Sequence, residues 1–122
     1  HDLDFSFPDC YLPSQNEALL LSEASFVMSH DAATGYISFG VSKTGLSSFY
    51  SKTQVGTLYE QLNNGARALD LRPWLFSNGT VIFHHGAIRV PVTFETAMQD
   101  VLQWAQDNPT ELILLLTSHF GY

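Results

Sequence analysis

Along the chain, four short apolar runs end in polar residues able to do chemistry: residues 24–30, 66–72, 80–85 and 111–118. Each is strand-sized and bordered by turn-forming or polar positions, and each predicts a β-strand. The last carries Leu112-Ile113-Leu114-Leu115-Leu116, a continuous pattern expected of a strand buried on both faces of a parallel sheet.

Helical periodicity fills the intervals. From Phe94 to Asp107, the residues Phe94, Ala97, Met98, Val101, Leu102 and Ala105 recur at helical spacing and define one buried stripe. Thr93 is the expected N-cap, Glu95 suits the positive first turn, and Asn108-Pro109 ends the helix. A second, shorter helix is expected over residues 54–63, with Leu58 and Leu62 inward and Gly65 as its terminator, while residues 32–52 read as a long loop. Alternating strands and helices of this kind imply an α/β fold with a parallel sheet.

One connection breaks the alternation. Only residues 73–79 separate the second run from the third, too few for a parallel crossover of about a dozen. Asn78-Gly79 between apolar flanks predicts a type I′ β-hairpin instead. With those two as turn residues, Arg72 falls directly opposite His85 and Asp70 becomes its diagonal neighbour, within about 5–8 Å at Cβ; Pro73 would then face His84 at a bonded position with no N–H to donate, which leaves open a register shifted by one. Asn78-Gly79-Thr80 also has the form of an N-glycosylation acceptor, although turn propensity already accounts for it.

Composition narrows the classes. The chain has 122 residues, 45% hydrophobic, and a formal charge of −7: enough apolar content for one globular domain, and the wrong sign for gripping a nucleic-acid backbone. The lone Cys10 excludes an internal disulfide framework and is expected to be a small packed hydrophobe. No run approaches a membrane span of about 18 residues. The chain begins at His1 rather than Met, which suggests processing or excision.

The strand ends gather His30 and Asp31, Asp70 and Arg72, His84 and His85, and Ser118 and His119. In parallel α/β folds this is the ligand-binding face. Two imidazoles can divide base and acid roles near neutral pH, a guanidinium fits phosphate oxygens, and carboxylates orient the imidazoles. Together these groups can cleave a phosphodiester without metal. On alternation Arg67 and His84 face away from the cluster, Arg67 as a structural ion-pair or capping residue. Trp74, Phe76 and Phe83 are expected in core packing rather than as a lipid-facing rim.

Ser29-His30-Asp31, the run 64–72, Phe83-His84-His85-Gly86 and Asn108-Pro109-Thr110-Glu111 resemble, in order and spacing, the phosphatidylinositol-specific phospholipase C X domain. The resemblance covers roughly residues 24–118 and implies the N-terminal, incomplete part of a (β/α)8 TIM barrel, carrying an inserted hairpin around Asn78-Gly79 and forming a single unit over residues 1–122. It implies His30 as general base toward an inositol hydroxyl, His85 as general acid, Asp31 as partner of that acid, Arg72 as the phosphate-binding cation, Asp70 as the orienting group and Ser118 at a substrate-binding position. It places the acidic partner of His30 beyond residue 122.

Calcium-dependent members carry Asn after the first His and a Glu-x-Asp pair on the second strand; here stand Asp31, Asp70 and Arg72, so a calcium-independent site with no cofactor is expected. Glycerophosphodiester phosphodiesterases want the same acid pair and fit less well. The implied partner is a phospholipid met transiently at a membrane surface, which suits a secreted or peripheral protein. Where bacterial members place a lysine near the end of the fourth strand, this chain has Thr117, Ser118 and His119. That difference keeps a second reading open, an inositol-phosphate binding module without catalysis, and a third, a fragment inactive by itself.

Overall fold

The computed structural model describes residues 20–38 and 51–122. Cys10 and most of the long loop expected over residues 32–52 lie outside them. The described start of that loop, Ala32–Tyr36, winds into a 3-10 helix rather than an irregular segment.

Three strands form a parallel sheet: β1 (Met28–Ser29), β2 (Ala68–Leu71) and, after the helices, β6 (Leu114–Thr117), in the order β1-β2-β6. β2 is central and buried at every position. β6 has a neighbour only on its β2 side among the described residues, which leaves Leu115 and Leu116 each 46% exposed. The burial on both faces expected from its Leu-rich pattern is therefore not met here; an edge strand is covered from one side only.

The chain leaves the parallel sheet without a turn. Through Arg72 it passes into β3 (Pro73–Leu75), which pairs antiparallel with β4 (Val81–His85), and β4 pairs in turn with β5 (Ile88–Thr93). The hairpin around Asn78-Gly79 is present, with a different turn and register from those expected. Pro73 faces Phe83 and Leu75 faces Val81, and the turn closes by Gly79 N–H donating to Phe76 O at 2.9 Å and Phe76 N–H to Thr80 O at 2.9 Å.

A type I′ turn needs positive φ at both central residues, but in this turn only Gly79 adopts it, at 86°. The loop is thus Ser77–Gly79, a tight turn followed by a left-handed glycine. Arg72 consequently lies opposite His84, whose N–H donates to the Arg72 carbonyl at 3.0 Å. Bonded pairs and unbonded pairs alternate along an antiparallel ladder, so this register puts Pro73 at an unbonded position. The residue that has no N–H to give is not asked for one.

β5 was not predicted, because Pro91 interrupts its apolar pattern. Among the described residues it is an edge strand, and the ladder shifts register beside Pro91, between Ile82 and Phe83; edges and bulges are where strands tolerate proline.

Among the described residues, two α-helices cover the strands. α1 (Leu58–Asn63) begins four residues after the Gln54 start expected, behind the N-cap Thr57 with its reciprocal Thr57/Glu60 capping box, and Gly65 follows it with φ 101°. α2 (Phe94–Asp107) has the predicted bounds and the Thr93 cap. Its buried face is rotated relative to the expected stripe: Trp104 is 2% exposed, whereas Leu102 is 61% exposed. Ala97, Val101 and Trp104 pack with Leu58 and Leu62 of α1, Leu69 and Leu71 of β2, and Phe83, which stacks on Phe94 at 5.5 Å. No helix among the described residues is long and apolar enough to cross a membrane.

Candidate active site

The site lies where β1 and β2 end. His30 and Asp31 follow β1 directly, Asp70 lies within β2, and Arg72 follows it. Asp31 turns the chain with left-handed dihedrals, φ 49° and ψ 49°, a conformation costing about 1 kcal/mol in most residues and tolerated best by Asn and Asp. That turn aims its backbone N–H at Asp70 Oδ2, 3.1 Å away, and its side chain into the interior.

Arg72 joins the groups. One terminal nitrogen lies 2.9 Å from His30 Nε2 and 3.0 Å from Asp70 Oδ2, and the other lies 3.1 Å from Asp31 Oδ2. His85 enters through the same carboxylate, its Nε2 3.6 Å from Asp31 Oδ2, while its Nδ1 lies 2.9 Å from the Ser51 carbonyl oxygen. Sequence reasoning expected His85 to face Arg72 across the hairpin; the two instead share Asp31. Ser118 Oγ donates to Asp70 Oδ1 at 3.4 Å and lies 2.8 Å from His119 Nδ1. His30, Asp31, Asp70, Arg72, His85 and Ser118 thus form one connected cluster.

Its two carboxylates are held differently. Burial pushes the Asp31 carboxyl above the ordinary carboxylate value, and the nearby Arg72 and His85 do not fully offset it. Burial would raise Asp70 as well, but the Arg72 guanidinium and the Asp31 N–H, both bonded to it, together hold it below the ordinary value. Asp70 therefore contributes stability above the unfolded carboxylate pKa of about 3.9, lost as pH falls further.

Asp31 behaves oppositely: its contribution is fully present below that pH and is lost as pH rises through its raised value. Asp31→Asn is expected to melt at a higher temperature than wild type at pH 7, with the gain vanishing below about pH 4. Melting curves of both proteins across this range check it; equal melting temperatures at pH 7 would refute the account of Asp31.

Other residues have structural places. Arg67 pairs with Glu111 at 2.8 Å, bonds the Leu62 carbonyl at the end of α1 at 2.9 Å, and lies over Trp104. His84 points away from the cluster; its ring nitrogens lie 2.9 Å from Gly86 O and 2.6 Å from His119 O. Phe83 is buried in the core, while Trp74 and Phe76 both lie under the Arg89 guanidinium. Among the described residues no three His, Cys, Asp or Glu side chains are grouped to hold a metal ion, and the charge between Asp31 and Asp70 is that of Arg72.

Supporting residues were missed from sequence. Thr53 Oγ1 and Gln54 Nε2 donate to the His30 carbonyl at 2.9 and 3.0 Å, and Gln61 is buried beside Ser29. For Thr53 and Gln54 no sequence signal exists. Gln61 had one: it lies three residues after Leu58, on the apolar side of a helix, where a polar side chain needs partners.

A family model described as phosphatidylinositol-specific phospholipase C, X domain, matches residues 28–121. Among solved structures, the chain is similar to a phosphatidylinositol-specific phospholipase C of S. aureus from work on the modulation of its membrane binding, with 22% identity and a TM-score of 0.69 over 83% of this chain. A double mutant of the S. aureus enzyme gives 21% identity and a TM-score of 0.65 over 78% of this chain. The chain spans about a third of the length of these structures, 32% and 30% respectively.

Proposed function

Because the chain belongs to the phosphatidylinositol-specific phospholipase C X-domain family, we propose that the protein carrying it cleaves the phosphodiester of phosphatidylinositol-type lipids by histidine acid–base catalysis, without a metal ion. One observation carries the reading. A single guanidinium bonds His30 and Asp70 on one side and ion-pairs with Asp31 on the other, and Asp31 in turn lies against His85. Two imidazoles therefore flank one cation of the kind that binds a phosphate.

In this reading His30 takes the proton of the inositol 2-hydroxyl, whose oxygen attacks phosphorus. The bond from phosphorus to the diacylglycerol oxygen breaks, and that oxygen takes its proton from His85. Arg72 balances the charge growing on the phosphoryl oxygens. Asp31 orients His85, Asp70 fixes Arg72, and Ser118 stands where it can meet the substrate. An inositol cyclic phosphate forms first and water opens it more slowly.

Metal independence is supported by chemistry rather than by vacancy. Calcium seeks six to eight oxygen ligands, several of them carboxylate; here a guanidinium already lies between the two carboxylates. Turnover of phosphatidylinositol in mixed vesicles is expected to be unchanged by excess chelator, and loss on chelation with recovery on added calcium would overturn this part.

The parallel strands β1, β2 and β6, with β6 half exposed at an edge, fit the opening portion of a (β/α)8 barrel whose further strands would cover that edge. The binding-module reading draws on Thr117, Ser118 and His119, which stand where the family resemblance leads one to expect a lysine; saturable inositol phosphate binding with no product would favour it.

A further inference from the structure

We propose that Gln61 is a positioning residue that sets the geometry of His30 and Asp31 without touching substrate. The inference rests on the reading of those two residues as site residues, and begins from a buried carboxamide. Gln61 is 6% exposed, and its Nε2 donates to Ala32 O at 2.9 Å and to Gly56 O at 3.0 Å. Both partners are carbonyl oxygens, which only accept, so the amide orientation is determined. Its Oε1 must then accept the hydroxyl hydrogen of Ser29, a buried bond.

Ser29 and Ala32 are the residues immediately before and after the pair His30-Asp31. One carboxamide therefore holds both ends of the corner in which Asp31 takes its left-handed conformation, and anchors it to the loop leading into α1. The packing around it has no slack: a Cβ added to Gly35 would lie 2.0 Å from Gly56 O and 2.7 Å from Gln61 Nε2. No apolar side chain can replace these struts. Without them the Asp31 N–H loses its aim at Asp70 and the His30 ring its distance from Arg72, and displacements near 1 Å cost on the order of a hundredfold in rate.

The experiment uses Gln61→Met in the protein as it naturally occurs, similar in length but unable to bond the carbonyls, with Gln103→Ala on exposed α2 as control. The expected result is a cooperative melt, kcat on phosphatidylinositol vesicles lowered about ten- to a hundredfold, KM within about twofold, and displaced NMR signals for the Asp31 amide and the His30 ring. The control leaves all of these in place. A folded variant whose Asp31 and His30 signals coincide with wild type overturns the proposal, as does a loss confined to KM.

If Gln61→Met does not fold, Ser29→Ala removes one strut only and is judged by the same signals. If the wild-type protein itself turns over no phosphoinositide, the catalytic reading fails, whereas the positioning inference is still decided by the NMR signals.

Discussion

Replacing His85 by alanine is expected to lower the turnover of phosphatidylinositol by about 10²–10⁴-fold, the range typical of losing a positioned acid or base, and replacing His30 to do the same. Neither change should greatly alter stability. His30 is exposed and His85 half-buried, and neither belongs to the hydrophobic core. The two losses should not add. Proton removal and proton donation serve one displacement at phosphorus, so once either imidazole is gone the other has little left to assist, and the double variant should lie close to the worse single one.

Initial rates on mixed vesicles, set beside melting curves for the three variants, decide the matter. Full activity in either single variant would remove that histidine from the mechanism. Inositol phosphate binding retained in all of them, against a wild type that forms no product, would favour the binding module.

How far the chain could be read in advance follows from what holds each part together. The helix over 94–107 was legible to its ends because its determinants are local: a Thr93 cap, an apolar repeat and the Asn108-Pro109 stop. Its rotation was not, since choosing Trp104 over Leu102 as the inward residue depends on Asn63, whose side-chain oxygen accepts from Trp104 Nε1 at 2.7 Å across two helices. The hairpin was visible in Asn78-Gly79, and the proline that could shift its register by one was visible too; the observed pairing of Pro73 with Phe83 is that shifted register, with Pro73 at an unbonded position. At the site, the six predicted side chains lie in one connected cluster because each stands at or near the end of a strand. The link between Arg72 and His85 was misread, because it passes through Asp31, whose left-handed turn is a property of three-dimensional packing rather than of pattern.

Trp104→Ala is expected to cost about 3–5 kcal/mol of unfolding free energy, as large-to-small changes at buried aromatics do, a large share of the 5–15 kcal/mol that holds an ordinary domain together. The magnitude follows from where the ring lies. It is 2% exposed, its Nε1 ties α2 to α1 through Asn63 at 2.7 Å, and the Arg67 guanidinium lies 4.6 Å over its face. Arg67 in turn bonds the last turn of α1 and Glu111, ahead of β6, so one ring joins both helices to the chain entering β2. Removing it opens a cavity beneath the strand that carries Asp70. Trp104→Phe keeps an aromatic face for Arg67 and loses the bond to Asn63, an exposed residue whose amide oxygen can turn to water, so it should cost less: about 0.5–1.5 kcal/mol for the hydrogen bond, plus the smaller ring's lost packing. Urea denaturation followed by far-UV circular dichroism ranks the three proteins. A midpoint for Trp104→Ala within error of wild type would show that the joint is not where the two helices and the site-bearing strand are held, and turnover per folded molecule should fall far less than in either histidine variant.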